Sequence, residues 1–222
     1  SAAADTADPE ERTRLMNRVR GEVEALNRII DDFLTFARPL QTEPHGSDLR
    51  DAVRSAAELA ENELIREGCE LEVDVPREPL MAVADRDQVK RAVLNLLHNA
   101  AQVAGRVRVR AERSGTELLV RVTDDGPGVP EDLRERIFEP FITDKEKGAG
   151  LGLAIVRKVA EAHGGRVDVG DAEDAGFGSG AEFRLYLPGL EEPPTVPYRE
   201  GFDAPPTERG GGESPVHPSG DS

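Results

Sequence analysis

Cysteine is almost missing from this sequence: one in 222 residues, Cys69, so an internal disulfide and a cysteine-built metal cluster are both excluded. A reducing compartment fits that usage. No apolar run approaches the roughly 20 residues that span a bilayer. The first residues, Ser1-Ala2-Ala3-Ala4-Asp5, lack the basic flank and apolar centre of a signal peptide. Positive charge is also short. Lys and Arg number 28 against 44 Asp and Glu, a net −16, which argues against nonspecific adhesion to nucleic acid or an anionic membrane. A polyphosphate bound here must be met by local donors and a metal ion, not by a positive field. We therefore expect a soluble piece residing in the cytoplasm, from a parent protein free to be membrane-anchored. Its length suits one domain with extensions.

Hydrophobic periodicity organises the rest. Leu15, Val19, Val23, Leu26, Ile30 and Phe33 recur at three- and four-residue spacing, which predicts a long amphipathic helix over residues 9–39 that Pro39 brings to an end. A lone helix of this kind is marginal in water, so the stripe needs a partner. The rest of its own domain would serve. The strict periodicity and the linker that follows favour a helical hairpin or dimer seam. Residues 40–47, rich in turn formers, read as that linker.

Residues 48–190 read as one domain. Asp48 caps a helix reaching about Glu67, with Leu49, Val53, Ala57, Ala60 and Leu64 turned inward and Gly68 as its stop. Leu71, Val73 and Val75 alternate as a strand, and Met81-Ala82-Val83 is a second short one. Asp85 caps a helix over 86–104. Residues 106–113 and 117–123 alternate on either side of Ser114-Gly115 and form a hairpin. A loop-like stretch over 126–150 carries a short helix near 131–138. A helix over 151–163 follows, ended by Gly164-Gly165, and strands over 166–169 and 181–187 complete the sheet. From residue 191 to 222 the tail holds 7 of the 16 prolines, and 7 acidic against 2 basic residues, with almost no apolar periodicity. Such a segment buries too little surface to offset its ordering entropy and is expected to be disordered. There is no internal repeat.

Four motifs interrupt these patterns. Asn95 and Asn99 stand four apart on a helix, so both amides leave one face. Flanked by Val93, Leu94, Leu96 and Leu97, they must be satisfied by something, and an amide oxygen is a hard neutral ligand suited to Mg²⁺. Two solvated surface asparagines are the plainer account. Asp124 ends a strand, with Gly126 and Gly128 keeping its surroundings open, and its carboxylate can accept from an exocyclic amine. Taken alone, Asp124-Asp125-Gly126-Pro127-Gly128 is equally an acidic turn. Phe138 and Phe141 are either anchors holding a loop to the core or the moving anchors of a lid. Lys145 and Lys147 are long enough to reach a phosphate, although loop lysines are usually only solvated. Gly148-Ala149-Gly150-Leu151-Gly152-Leu153 opens an apolar-periodic helix, where a backbone without Cβ atoms and unpaired N–H donors suits an anion. The histidines offer no catalyst. His45 sits in the linker, His217 in the tail, His163 at a helix end, and His98 reads as a half-buried structural residue.

In order, Asn95/Asn99, Asp124-x-Gly126-x-Gly128, Phe138-x-x-Phe141 and Gly148-x-Gly150-x-Gly152 resemble the N, aspartate–glycine, F and glycine lid boxes of bacterial sensor histidine kinases. Gly178-Ser179-Gly180-Ala181-Glu182-Phe183 is similar to that family's last glycine motif, and Asp32-Phe33-Leu34-Thr35-Phe36-Ala37-Arg38-Pro39 resembles the second helix of a dimerisation hairpin of the nitrogen-regulator kinase type. The resemblance implies an α+β fold, a two-layer α/β sandwich of the histidine kinase/gyrase-type ATP-binding kind, preceded by the long amphipathic helix. It implies ATP and Mg²⁺ as cofactors, with Asn99 on the metal and Asn95 at the phosphates. Asp124 would read the adenine amine, and Gly148, Gly150, Leu151 and Gly152 would wrap the phosphates. The partners implied are a response-regulator receiver domain and an acceptor-histidine helix, the chain's own or a second protomer's.

Two departures qualify it. Gln102 stands where many relatives carry a basic residue. No histidine is followed by an acidic residue and then proline, and the first hairpin helix is missing, which we read as truncation rather than loss. On this reading the isolated chain binds Mg·ATP but does not phosphorylate itself on histidine. The alternatives are an ATPase of the same fold, against which Asn95 in place of a glutamate argues, an anti-sigma-type serine kinase, and a non-catalytic module that dimerises and senses nucleotide.

Overall fold

A computed structural model describes residues 9–37, 43–143, 149–172, 177–178 and 180–190. The tail after 190, Arg38 and Pro39, Lys145, Lys147 and Gly148 lie outside the described residues. Helix α1 (Pro9–Ala37) comes first. It is followed by strand β1 (His45–Asp48), helix α2 (Leu49–Arg66), strands β2 (Glu70–Asp74) and β3 (Met81–Ala84), and helix α3 (Arg86–Ala101). Strands β4 (Arg106–Ser114) and β5 (Glu117–Asp124) form the hairpin. Two 3₁₀ turns (Glu131–Leu133 and Arg136–Phe138), helix α4 (Gly152–Ala162), β6 (Arg166–Asp171) and β7 (Ala181–Pro188) complete the order.

Five strands form one mixed sheet in the order β2-β4-β5-β7-β6. β2 runs parallel to β4 and the other neighbours are antiparallel. Alternation sets which side chains face in: Val107, Val109 and Ala111 from β4, Leu118, Val120 and Val122 from β5, and Phe183, Leu185 and Leu187 from β7 are all buried. Against them lie Leu49, Val53, Ala60 and Leu64 of α2, Val89, Val93, Leu96 and Leu97 of α3, and Ile155, Val156 and Val159 of α4. Emptying one of the fully buried leucines to alanine costs about 2–5 kcal/mol. The outer sheet face is tied by cross-strand ion pairs, Arg108–Glu72 at 2.9 Å, Arg121–Glu182 at 2.7 Å and Arg184–Asp168 at 2.5 Å. Solvent beside such pairs keeps each contribution small. The result is the two-layer sandwich.

Both expected aspartate caps are present. The Asp85 carboxylate accepts from the N–H groups of Asp87 and Gln88 at 3.1 and 3.2 Å. Asp48 accepts from the Arg50 N–H at 3.1 Å and the Leu80 N–H at 3.2 Å, while the Arg50 guanidinium folds back on it. Burial opposes ionisation of Asp48, but Arg50 and the two N–H donors outweigh it and hold the carboxyl below its ordinary range.

Three details differ from the sequence reading. His45, Gly46 and Ser47, read as linker, belong to β1, which pairs antiparallel with β3 in a separate two-stranded sheet. The short strand at 81–84 therefore lies outside the main sheet. The third helix ends at Ala101, earlier than expected. The apolar stripe of α1 is not covered by the domain: Leu15, Val19, Val23, Leu26, Ile30 and Phe33 are 46 to 58 % exposed. The last turn of this helix is held by the domain. There the Phe36 ring meets the edge of the Phe141 ring at 6.4 Å, and its carbonyl oxygen accepts from Lys158.

Candidate nucleotide site

The polar motifs lie at the end of β5, along α3 and at the start of α4, with Asn95 joined to Gly152 and Gly126 set against Val103. On β5 the inward row runs Leu118, Val120, Val122, Asp124. Asp124 thus occupies the next core-facing position, 2 % exposed, where an apolar residue would continue the pattern. Its Oδ1 accepts from the N–H of Gly126 at 3.0 Å and of Ala181 at 3.2 Å. Two donors on one oxygen fix the plane of the carboxylate. Its neighbour Asp125 does different work: its Oδ1 accepts from the N–H groups of Gly105 and Arg106, each at 2.9 Å, and closes the turn into β4. Gly126 lies against Val103 just past α3, where a Cβ would come within 3.0 Å of the valine side chain.

Asn95 and Asn99 sit half-buried on the flank of α3, beside the fully buried row of Val93, Leu96, Leu97 and Ala100. The Asn95 amide N–H donates to the carbonyl oxygen of Gly152 at 3.3 Å, which joins this helix to the start of α4. Unlike α2 and α3, α4 begins with no side-chain cap and no acidic residue in its first turn. Among the described residues no side-chain oxygen caps its first N–H groups, an arrangement that suits an anion. Leu151, just before it, is buried and acts as an apolar anchor.

The two phenylalanines have separate roles. Phe138 is buried and meets Phe183 edge-on, with ring centroids 6.4 Å apart, as an ordinary core anchor. Phe141 is 64 % exposed and adopts φ 67°, the left-handed region that a bulky side chain enters only at a cost of roughly 1 kcal/mol. Its N–H donates to the carbonyl of Gly150 at 2.9 Å, and a Cβ on Gly150 (φ 65°) would lie 2.7 Å from the Phe141 carbonyl carbon. Phe141 and Gly150 thus form the neck of the segment between them. Lys145, Lys147 and Gly148 fall in that segment, outside the described residues.

His98 turns away from this region and pairs with Glu63 of α2 at 3.2 Å. His163 has a part that sequence reasoning missed. It is buried, with Nδ1 2.8 Å from the Val159 carbonyl and Nε2 3.0 Å from the Asp85 N–H. Only the tautomer with its proton on Nδ1 satisfies both contacts. The imidazole therefore links the end of α4 to the cap of α3. No local pattern signals a partner 78 residues away.

Comparison with known proteins assigns this architecture. Residues 84–191 match the family described as histidine kinase-, DNA gyrase B-, and HSP90-like ATPase. The nitrogen regulation protein NtrY of Azorhizobium caulinodans is 37 % identical over 178 residues, 75 % of this chain but 22 % of that protein. The solved mycobacterial sensor histidine kinase MprB is 35 % identical with a TM-score of 0.59, over 66 % of this chain and 97 % of the other. The structure of histidine kinase ThkA in complex with response regulator protein TrrA is 27 % identical with a TM-score of 0.67, over 83 % of this chain and 53 % of the other. The chain belongs to the sensor histidine kinase family and carries that family's ATP-binding catalytic domain. It spans about a fifth of the length of the nitrogen regulation protein it matches. Among the described residues no helix is long and apolar enough to cross a membrane.

Proposed function

We propose that this chain is the Mg·ATP-binding core of a two-component sensor kinase, working in the cytoplasm. It transfers the γ-phosphoryl group of ATP to a histidine on an acceptor helix, for relay to a receiver-domain aspartate. The observation that carries the reading is Asp124, a carboxylate ending a core-facing row of apolar residues and held by two backbone N–H groups. A buried acceptor so fixed suits recognition of an exocyclic amine, as adenine offers. Family membership and the complex of ThkA with its response regulator support the partner.

The donors present fit the metal. Among the described residues no three His, Cys, Asp or Glu side chains gather as a metal site. The half-buried amides of Asn95 and Asn99 are hard oxygen donors, suited to an ion that takes its other ligands from phosphate and water. Asn99 would hold Mg²⁺, which supplies charge neutralisation at the phosphates when bound. Asn95 orients: its N–H is engaged by Gly152, which directs the amide toward the start of α4. An amide does not accept a proton at neutral pH, so Asn95 activates no water, and transfer to an imidazole is favoured over hydrolysis. The uncapped start of α4 and the Phe141–Gly150 neck complete the phosphate side, with Gly126 and Gly128 beside the base.

Titration with a fluorescent ATP analogue, with and without Mg²⁺, tests this in the wild type and in Asn99→Ala. Wild-type affinity should depend on Mg²⁺, and the variant should lose that dependence. Equal affinity in all four conditions refutes the assignment. Acid-labile label from ATP should appear only on an added acceptor helix, and label on the chain alone would overturn that part.

A further inference from the structure

We propose that Phe177 is a positioning residue for base selection, acting through Asp124 from the opposite side of the sheet. The proposal rests on the reading of Asp124 as the acceptor for an exocyclic amine. Phe177 is 8 % exposed, although it lies in the connection between β6 and β7, where a large apolar side chain needs a reason to be covered. Its cover is charged. The Arg106 guanidinium sits 4.3 Å from the ring centroid and that of Arg108 sits 5.0 Å from it. Two cations on one ring make a clamp that leucine of similar bulk does not reproduce.

The place of the clamp matters. Arg106 and Arg108 flank Val107 on β4, and Val107 is the register partner of Asp124 on β5. Val107 faces the core, so the two arginines and Phe177 lie on the outer face, behind the residue whose carboxylate points inward. Three residues after Phe177 the chain reaches Gly180, at φ 118°, where a Cβ would stand 1.8 Å from the Asp124 carbonyl oxygen. The next N–H, from Ala181, is the one that holds Asp124 Oδ1 at 3.2 Å. Ala181 is the first residue of β7, a strand end that frays unless the chain before it is fixed. The Gly180 carbonyl accepts from the Ala172 N–H at 3.2 Å, and Phe177 adds a second tie, pinned to the strand that pairs with Asp124. Releasing the clamp lets the Ala181 N–H drift and weakens one of the two N–H bonds that set the Asp124 carboxylate, the one from Gly126 remaining, with no direct contact to the nucleotide altered.

The test compares dissociation constants of the full chain for ATP and for purine riboside 5′-triphosphate, which lacks the 6-amino group. Wild type should prefer ATP by about tenfold or more, the worth of one hydrogen bond to a charged group. Asp124→Asn should abolish the preference. Phe177→Leu should cut it several-fold by weakening ATP alone, while Phe177→Trp, which keeps a ring for the two guanidinium groups, should retain it. The Arg106→Gln, Arg108→Gln double variant keeps the ring but removes the cations. It should reproduce the Phe177→Leu pattern, and it gives the answer should the leucine variant not fold. If Asp124→Asn abolishes the preference while Phe177→Leu and the arginine pair leave it intact, or weaken both nucleotides equally, the positioning role is wrong and the site reading stands. If Asp124→Asn leaves the preference intact, the site reading falls and takes the proposal with it.

Discussion

The ammonium group of Lys158, on α4, lies 2.7 Å from the carbonyl oxygen of Phe36 in the last turn of α1, and 5.4 Å from the centroid of the same residue's ring. Helix α1 has no basic residue in its last turn, so Lys158 supplies from another element the cation that a helix C-terminus favours. Replacing Lys158 with alanine should remove about 0.5–2 kcal/mol of local stability. Amide hydrogen exchange should then accelerate roughly two- to thirtyfold near residues 33–37, with the sandwich core unchanged. Unaltered exchange at the end of α1 would show that Lys158 contributes nothing there.

Gly150→Ala tests the neck formed with Phe141. Alanine at φ 65° is strained, and its Cβ would sit 2.7 Å from the Phe141 carbonyl carbon, so the neck must open. The expected outcome is at least a tenfold loss of Mg·ATP affinity. The melting midpoint should fall by only a few degrees, because the helix–sheet core lies elsewhere. A variant that binds nucleotide normally would show that the neck does not order the phosphate side.

His163→Phe keeps an aromatic ring but deletes the acceptor for the Asp85 N–H and the donor to the Val159 carbonyl. A buried donor without a partner costs about 1–3 kcal/mol. Urea unfolding should show a free energy lower by that amount, read as a lower midpoint with an unchanged slope. Stability equal to wild type would mean that water replaces the imidazole.

Asp48 sets one part of the acid response. Its carboxyl is held below the ordinary value of 3.8 in the folded chain. Its contribution to stability is therefore complete above that value and is lost as pH falls through the lower, folded one. Wild type should exceed Asp48→Asn in stability at neutral pH, and the gap should close in acid. A gap that widens on acidification would give the wrong sign and refute the arrangement.

Local chemistry explains what the sequence revealed. Asp48 and Asp85 are caps because a carboxylate finds N–H groups two or three residues ahead, and that needs no knowledge of the fold. Leu118, Val120 and Val122 announce a strand by alternation, and continuing the count to Asp124 marks a carboxylate aimed into the core. Asn95, Asp124 and Gly150 to Gly152 were legible as short motifs. What escaped depends on distant partners. His45-Gly46-Ser47 has the composition of a turn, and only pairing with β3 makes it a strand. His163 finds Asp85 across the domain, and Phe177 finds two arginines of β4. Phe138 and Phe141 look equivalent on paper, but one fills the core while the other is drawn outward to Phe36.

That outward contact turns the long first helix into a mechanical element. A helix of 29 residues measures about 43 Å, and the domain grips this one at its C-terminal tip. A sideways push of ~5 Å at the far tip corresponds to a tilt of ~7° about the grip, on the helical rise per residue. At the short arm such a tilt changes little beyond the seating of one aromatic ring on another. That ring belongs to the residue whose backbone is already held away from its preferred torsion, so a coarse displacement at the far tip arrives as a fine adjustment at the Phe141–Gly150 neck.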